Sequence, residues 1–233
     1  GRQLQFRLVD DAYVPQRSVD NVKKMLTDGS AFALMSCIGT PNNTAILPMI
    51  EDANIPYVAP LTGASSLRRS GARNVFHVRA SYTDETQRLV QKLVTMGIRD
   101  LAVVYLDNGF GQEVRDDAVK ALQAQGVKAA TLVALATDGK NLTDVVNQTL
   151  AGKPAAVLLG TAGAASAGLI MALRKASPML PIAGLSATLT DEGRNSLGAS
   201  GAGLALTMVF PDPTRAKQTI VREYQTAMRA AGQ

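Results

Sequence analysis

Histidine and cysteine are the side chains from which catalytic and metal chemistry is most often built, and this sequence has one of each, His77 and Cys37. A Ser/His/Asp triad would have to use His77, and a multi-histidine metal site is impossible. A lone cysteine excludes an intrachain disulfide and any multi-cysteine metal site. His77 lies in the alternating run Asn74-Val75-Phe76-His77-Val78-Arg79, which reads as a strand face near the surface. No two carboxylates stand out as a general acid and base. Asp10-Asp11 ends an expected strand and Asp116-Asp117 lies on an expected exposed helix face, so both pairs read as solvated or structural. The sequence therefore predicts no catalytic residue, no metal and no cofactor.

What it does offer is a series of loops rich in small and hydroxyl residues, each following an expected strand. In open α/β sheets a ligand binds beyond the carboxyl ends of the strands, so these loops are the candidate site. In Ser36 to Asn43, Thr40-Pro41 opens a helix, and the free N–H groups and dipole of a helix N-terminus suit a carboxylate or phosphate. Pro41 cannot donate, which leaves Thr40, Asn42 and Asn43. An ordinary capped helix start, with Thr40 as N-cap, is the plainer reading of the same residues. Pro60-Leu61-Thr62-Gly63-Ala64-Ser65-Ser66 could approach a ligand through its backbone, or be a surface loop. Phe110, between Gly109 and Gly111, could pack on a ligand or make a contact between lobes. Gly160-Thr161-Ala162-Gly163 has the glycine content of a phosphate loop but no Gly-Lys-Ser/Thr ending. Leu185-Ser186-Ala187-Thr188 follows a strand and could equally be a turn. Gly198, Gly201 and Gly203 have the wrong spacing for a dinucleotide fingerprint and precede a strand.

The elements that must position these loops alternate along the chain, which predicts an α/β fold with parallel sheets. Strands are expected at Leu4 to Val9, Phe32 to Met35, Pro56 to Ala59 and Val75 to Val78. Helices are expected at Arg17 to Thr27 and from Pro41 to about Ala53, with Pro48 inside the second. A second series follows. Ser81 to Asp84 caps a helix to Met96; Leu101 to Leu106 is a fully apolar strand; Gly111 to Gln125 is a helix. Val127 to Leu135, Ala155 to Leu159, Ile182 to Leu185 and Leu204 to Val209 read as strands, with helices at Leu142 to Leu150 and Ala165 to Ala176. Pro211-Asp212-Pro213 breaks the chain before a long helix from Thr214 to Ala231. Two consecutive βα arrays imply two lobes: residues 1–79 with 212–233, and residues 80–211.

Bulk composition narrows the function further. Of 233 residues, 46% are hydrophobic, enough for real cores and against disorder. The net charge of +5 hints at an anionic partner, but the basic residues are scattered; Lys23-Lys24 and Arg68-Arg69 with Arg73 are the densest groups. Aromatics are 4% and tryptophan is absent, so a base-stacking platform would be thin, and no nucleic-acid partner is expected. No stretch approaches the roughly 18 to 20 apolar residues of a membrane span.

An ordered set of short motifs then carries a resemblance. Gly39-Thr40-Pro41, Ile55-Pro56, Pro60-Leu61-Thr62-Gly63-Ala64 with Leu67-Arg68, Val78-Arg79-Ala80-Ser81, Asp84-Glu85-Thr86, Ala102-Val103, Phe110-Gly111 and Val209-Phe210-Pro211-Asp212-Pro213 occur in one order along the chain. Together they resemble type I periplasmic solute-binding proteins of ABC importers, of the branched-chain-amino-acid (Leu/Ile/Val) type. The resemblance implies two Rossmann-like lobes joined by hinge strands, with the ligand between them. It also implies that the fold is truncated at both ends, before Gly1-Arg2 and after Gln233. By position, Thr40 falls where the family places a hydroxyl on the ligand carboxylate. Leu61, Thr62 and Gly63 fall at contacts to the ligand's polar groups, Phe110 where an aromatic covers it, and Ala162 at another frequently aromatic position. Ser186 stands where amino-acid binders often carry an acid for the ammonium. A buried ammonium without that partner is poorly compensated, which weakens the amino-acid assignment and leaves room for an aromatic or aliphatic carboxylate.

The resulting expectation is a monomeric, extracytoplasmic (periplasmic) solute-binding protein, not an enzyme, that captures a small carboxylate-bearing ligand, an amino acid or a related carboxylate, between two lobes and delivers it to ABC importer membrane subunits. The alternatives are a ligand-sensing regulatory domain of the same fold and a nucleotide-using α/β enzyme.

Overall fold

The computed structural model describes residues 3–29, 31–68 and 72–232. Gly1-Arg2, and Arg69 of the basic group, lie outside the described residues. Two parallel sheets share no strand. In the first, β1 (Leu34–Met35), β2 (Tyr57–Val58) and β3 (Val75–Phe76) lie in the order β1-β2-β3. In the second, β4 (Leu101–Leu106), β5 (Ala129–Leu135), β6 (Ala156–Gly160), β7 (Ile182–Gly184) and β8 (Leu204–Leu206) lie in the order β5-β4-β6-β7-β8. The strand order reverses between β4 and β6, which puts a topological switch point, the place where open α/β sheets take ligands, beside the loops that follow these two strands.

Helices cover the sheets. α1 (Pro15–Thr27) packs on α2 (Thr40–Ala53) beside the first sheet. α3 (Tyr82–Thr95), α4 (Gly109–Ala124), α5 (Leu142–Ala151), α6 (Gly163–Ala176) and α7 (Asp191–Ser196) accompany the second, and α8 (Thr219–Ala230) follows. Both α4 and α5 contact β4. Burial on both faces is why β4 and β6 are apolar without alternation. α3 begins in a capping box, in which the Ser81 hydroxyl accepts from the Asp84 N–H at 3.0 Å and the Asp84 carboxylate from the Ser81 N–H at 3.1 Å.

Two core clusters result. The smaller joins Val22 of α1, Ile46 and Ile50 of α2, Leu34 and Tyr57. The larger surrounds the second sheet but also takes in Leu47, Ala64 and Leu67 from the first-sheet side.

Three expectations are corrected. Leu4 to Val9 is not a strand. A strand exists only as part of a ladder, and no neighbour supplies one, so Phe6 is 78% and Leu8 100% exposed. The C-terminal helix starts at Thr219 rather than Thr214. The Asp212 carboxylate accepts from the N–H and hydroxyl of Thr214, at 2.9 and 2.7 Å, and folds that segment into a turn. The first-sheet strands and β8 are also shorter than their apolar runs, because pairing ends before the hydrophobicity does.

β1 is an edge strand, and Phe32 and Met35 are exposed near it. Open edges and apolar patches of this kind favour association. The 233-residue chain is expected to bind the dye ANS and to aggregate on concentration. Phe6→Lys with Leu8→Lys should reduce both, while moving unfolding stability by no more than about 0.5 kcal/mol. Dye binding and sedimentation check this; no dye binding by the unaltered chain refutes it.

Candidate functional site

The loops after β1 and β2 turn together. Ser36 (φ 54°) and Ala59 (φ 50°), the first residues past each strand, both adopt the left-handed region, a conformation costing a residue with a Cβ about 1–2 kcal/mol. The loops stay paired beyond the strands. Leu61 N–H donates to Cys37 O at 2.9 Å and Gly39 N–H to Leu61 O at 3.3 Å. Asn43 braces the first loop, its amide donating to Cys37 O (2.9 Å) and Gly39 O (2.7 Å), and the Tyr57 hydroxyl donates to its Oδ1.

This pairing sets Thr40 beside Thr62, with their Oγ1 atoms 2.8 Å apart and both residues buried. Thr40 is the first residue of α2, not its N-cap. Gly39 holds that place at φ 96°, and the Thr40 hydroxyl faces Thr62 instead of capping the helix. The Thr62 hydroxyl also accepts from Ala64 N–H at 3.1 Å. Two hydroxyls carry two protons, and one serves the bond between them. The other proton is free to be offered to an acceptor at the N-terminus of α2, where the helix dipole also favours negative charge.

The start of α3 meets the second of these loops. Tyr82 N–H donates to Gly63 O at 2.7 Å. A Cβ on Gly63 would lie 2.8 Å from both Tyr82 N and Tyr82 Cδ1, so only glycine permits this approach. Phe110 is 2% exposed and packs edge to face on Tyr82, with ring centroids 4.9 Å apart. Its ring is turned into the core, so it backs Tyr82 rather than lining a cleft. Leu61 is partly exposed. Ala162, the N-cap of α6 beside the switch point, is half-buried.

Ser186 belongs to a different cluster. Its hydroxyl accepts from Arg79 Nη2 at 3.0 Å, and its N–H donates to Glu85 Oε2 at 2.9 Å. Arg79 Nη2 also donates to Glu85 Oε1, and the Thr207 hydroxyl donates to Glu85 Oε2. Both Arg79 and Glu85 are buried, and the Arg79 guanidinium stacks on Tyr82 at 4.8 Å from the ring centroid. The carboxylate that the sequence lacks at position 186 is thus not replaced by a free one nearby, because Glu85 is already committed to Arg79. A second polar cluster joins the loop after β2 to α4: Glu113 accepts from Ser65 N–H and Ser66 Oγ, and Asp117 accepts from the Thr83 hydroxyl at 2.7 Å. Burial pushes the Glu113 carboxyl above its ordinary value, the Ser65 N–H opposes this, and Asp117 adds to the rise.

Thr40, Thr62 and Gly63 are therefore brought together, and Ser186 sits with Arg79. Tyr13, Tyr82, Arg79 and Glu85 were not singled out as site residues. Arg79 and Glu85 lie in motifs that carried the resemblance, which was the one available signal. His77 Nε2 lies 3.1 Å from Leu67 O, and burial, then the Arg68 charge, lowers its pKa. No cluster able to hold a metal occurs among the described residues, and no helix there is long and apolar enough to cross a membrane.

A family model for periplasmic binding proteins matches residues 1–233. A comparison with curated proteins finds no match. Among solved structures, a substrate-binding periplasmic protein of Ralstonia solanacearum is 26% identical with a TM-score of 0.86, over 96% of this chain and 64% of that one. A possible leucine/isoleucine/valine-binding protein of Rhodopirellula baltica is 25% identical with a TM-score of 0.85, over 95% and 61%. An ABC transporter solute-binding protein of R. palustris, in complex with benzoate, shares the fold at 19% identity and a TM-score of 0.88, over 99% and 64%. The chain thus spans less than two thirds of the length of each.

Two outcomes follow from the polar clusters. Glu85→Ala strands a buried guanidinium and should cost about 3–5 kcal/mol of unfolding free energy by urea titration; a loss below about 1 kcal/mol would mean that Arg79 finds water instead. For Glu113, the folded state holds the proton more tightly than the unfolded state. Stability is unaffected below the ordinary glutamate pKa, falls as pH rises from there through the raised folded value, and is level above it. Glu113→Gln should remove that fall, and an unchanged pH profile of the melting temperature would exclude Glu113 as its source.

Proposed function

The chain belongs to the periplasmic binding protein family, and from that premise we propose that it captures a small carboxylate-bearing solute lacking an ammonium group, between two lobes. The observation that carries this reading is the buried Thr40–Thr62 hydroxyl pair at the N-terminus of α2. A carboxylate oxygen accepts the proton left over from that pair and sits at the positive end of the helix. Leu61 and Gly63 border it, and Ala162, small and half-buried beside the switch point, leaves room for the body of the solute.

Ser186 supports the exclusion of an ammonium. Its hydroxyl is engaged by a guanidinium, and the nearest carboxylate, Glu85, is already ion-paired. An ammonium placed there would lose its water without gaining a partner.

In this reading the lobes comprise residues 1–79 with 212–233, and 80–211. They close on the solute outside the cytoplasm and present it to the membrane subunits of an ABC importer. The role is binding, not catalysis. One solved relative is a possible leucine/isoleucine/valine-binding protein and another holds benzoate; in this reading the neutral, cation-facing Ser186 favours a solute of the second kind.

Mass spectrometry of solute released from the intact protein, purified from its host, tests the class. A carboxylate without an amino group is expected; an amino acid, sugar or nucleotide would overturn the reading. By calorimetry, benzoate should bind more tightly than L-leucine. Thr40→Val should weaken benzoate by about ten- to a hundredfold, the roughly 1.5–3 kcal/mol of a hydrogen bond to a charged group.

A further inference from the structure

We infer that Tyr13 is a ligand-contacting residue, its ring forming the outer wall beside the Thr40–Thr62 pair and selecting a flat carboxylate; this rests on the reading just given. The backbone that carries Tyr13 is unusual. Ala12 (φ 50°) and Tyr13 (φ 60°) are both left-handed, and for a bulky aromatic this conformation is an outlier. Two side-chain turns hold it there, with Ala12 N–H on Asp10 Oδ1 at 2.8 Å and Tyr13 N–H on Asp11 Oδ1 at 2.9 Å. Asp11 is itself fixed, its other oxygen accepting from the Ser18 hydroxyl (2.5 Å) and the Asn42 amide (3.1 Å), so the loop is tied to both α1 and α2.

The result is a ring laid against Gly39, the residue just before Thr40. A Cβ on Gly39 would stand 2.3 Å from Tyr13 Cε2. Yet Tyr13 remains 43% exposed. Core packing does not account for strain at a side chain left half in water, whereas presenting a ring at a site does. Burial raises the Tyr13 phenol pKa, and the nearby Tyr82 and Asp11 groups add to the rise. Each tyrosine covers the glycine adjoining one threonine of the pair, Tyr13 at Gly39 and Tyr82 at Gly63. Tyr82 is buried, with Arg79 over its ring and Phe110 packed edge to face with it, so of these two tyrosines Tyr13 is the one with free surface. A planar ring stacks on such a surface better than a puckered one of equal charge and size.

The test compares benzoate with cyclohexanecarboxylate by calorimetry. The intact protein is expected to prefer benzoate. Tyr13→Leu should lose about three- to tenfold for benzoate and less for cyclohexanecarboxylate, collapsing the preference. Tyr13→Phe, which keeps the ring on Gly39, should restore it, and Thr40→Val should weaken both probes alike. A preference unchanged in Tyr13→Leu, with both probes weakened by Thr40→Val, overturns this inference and leaves the carboxylate reading standing. If neither probe binds, or binding ignores Thr40→Val, the reading falls and the inference with it. A second readout needs only the conservative variant. The chain has five tyrosines and no tryptophan, so the effect of benzoate on tyrosine emission should shrink in Tyr13→Phe. An undiminished effect counts against contact with Tyr13.

Discussion

The Glu85 carboxylate gathers segments that are far apart in the chain. Arg79 comes from the crossover out of the first sheet, Ser186 from the loop after β7, and Thr207 from just past the end of β8. A buried carboxylate is costly to desolvate, and the cost is met only if its partners are in place together. Three donors on two oxygens, one of them a guanidinium, meet that condition. The links span 101 and 122 residues from Glu85 to Ser186 and Thr207, so the group acts on the topology rather than on any one element. The passage out of the first sheet and the exit from β8 cannot drift apart without exposing an unpaired charge to the interior.

The loops after β1 and β2 are organised differently. Neither Ser36 nor Ala59 is glycine, yet both turn left-handed where the strands end. The strain is matched by hydrogen bonds, since the two loops remain a ladder through Cys37, Gly39 and Leu61 and are braced by Asn43. Two loops that bend alike keep their register. That is what places a threonine from each at hydrogen-bonding distance, although the strands that launch them are only two residues long. The geometry of the site therefore depends little on the extent of the sheet behind it.

Much of the fold was legible in the sequence because its signals are local. The apolar runs of β4 and β6 and the Ser81–Asp84 cap each say what they do within a few residues. What was not legible is relational. Leu4 to Val9 alternates as a strand should, but alternation cannot reveal whether a neighbouring strand is there to pair with it. The glycines around Phe110 left open a ligand contact or a contact between lobes, and the packing of its ring on Tyr82 within the larger core could not be read from them. Thr40 has the residue type and position of an N-cap, yet Gly39 takes that place, at a position where Tyr13 leaves no room for a Cβ. At position 186 the absent acid was visible, but the guanidinium that meets Ser186 comes from a residue 107 positions earlier.

The two organising clusters meet in the first turn of α3. Tyr82 is its first residue, with its N–H on Gly63 O and its ring against Gly63; Glu85 is one turn further on, holding Arg79, Ser186 and Thr207. Arg79 completes the circuit by stacking on the same Tyr82 ring. One helical turn therefore has the loop after β2 on one side and the β7 and β8 ends of the second sheet on the other. Its capping box fixes where that turn begins, so Gly63 on one side and Ser186 on the other are hydrogen-bonded to the same short stretch of helix.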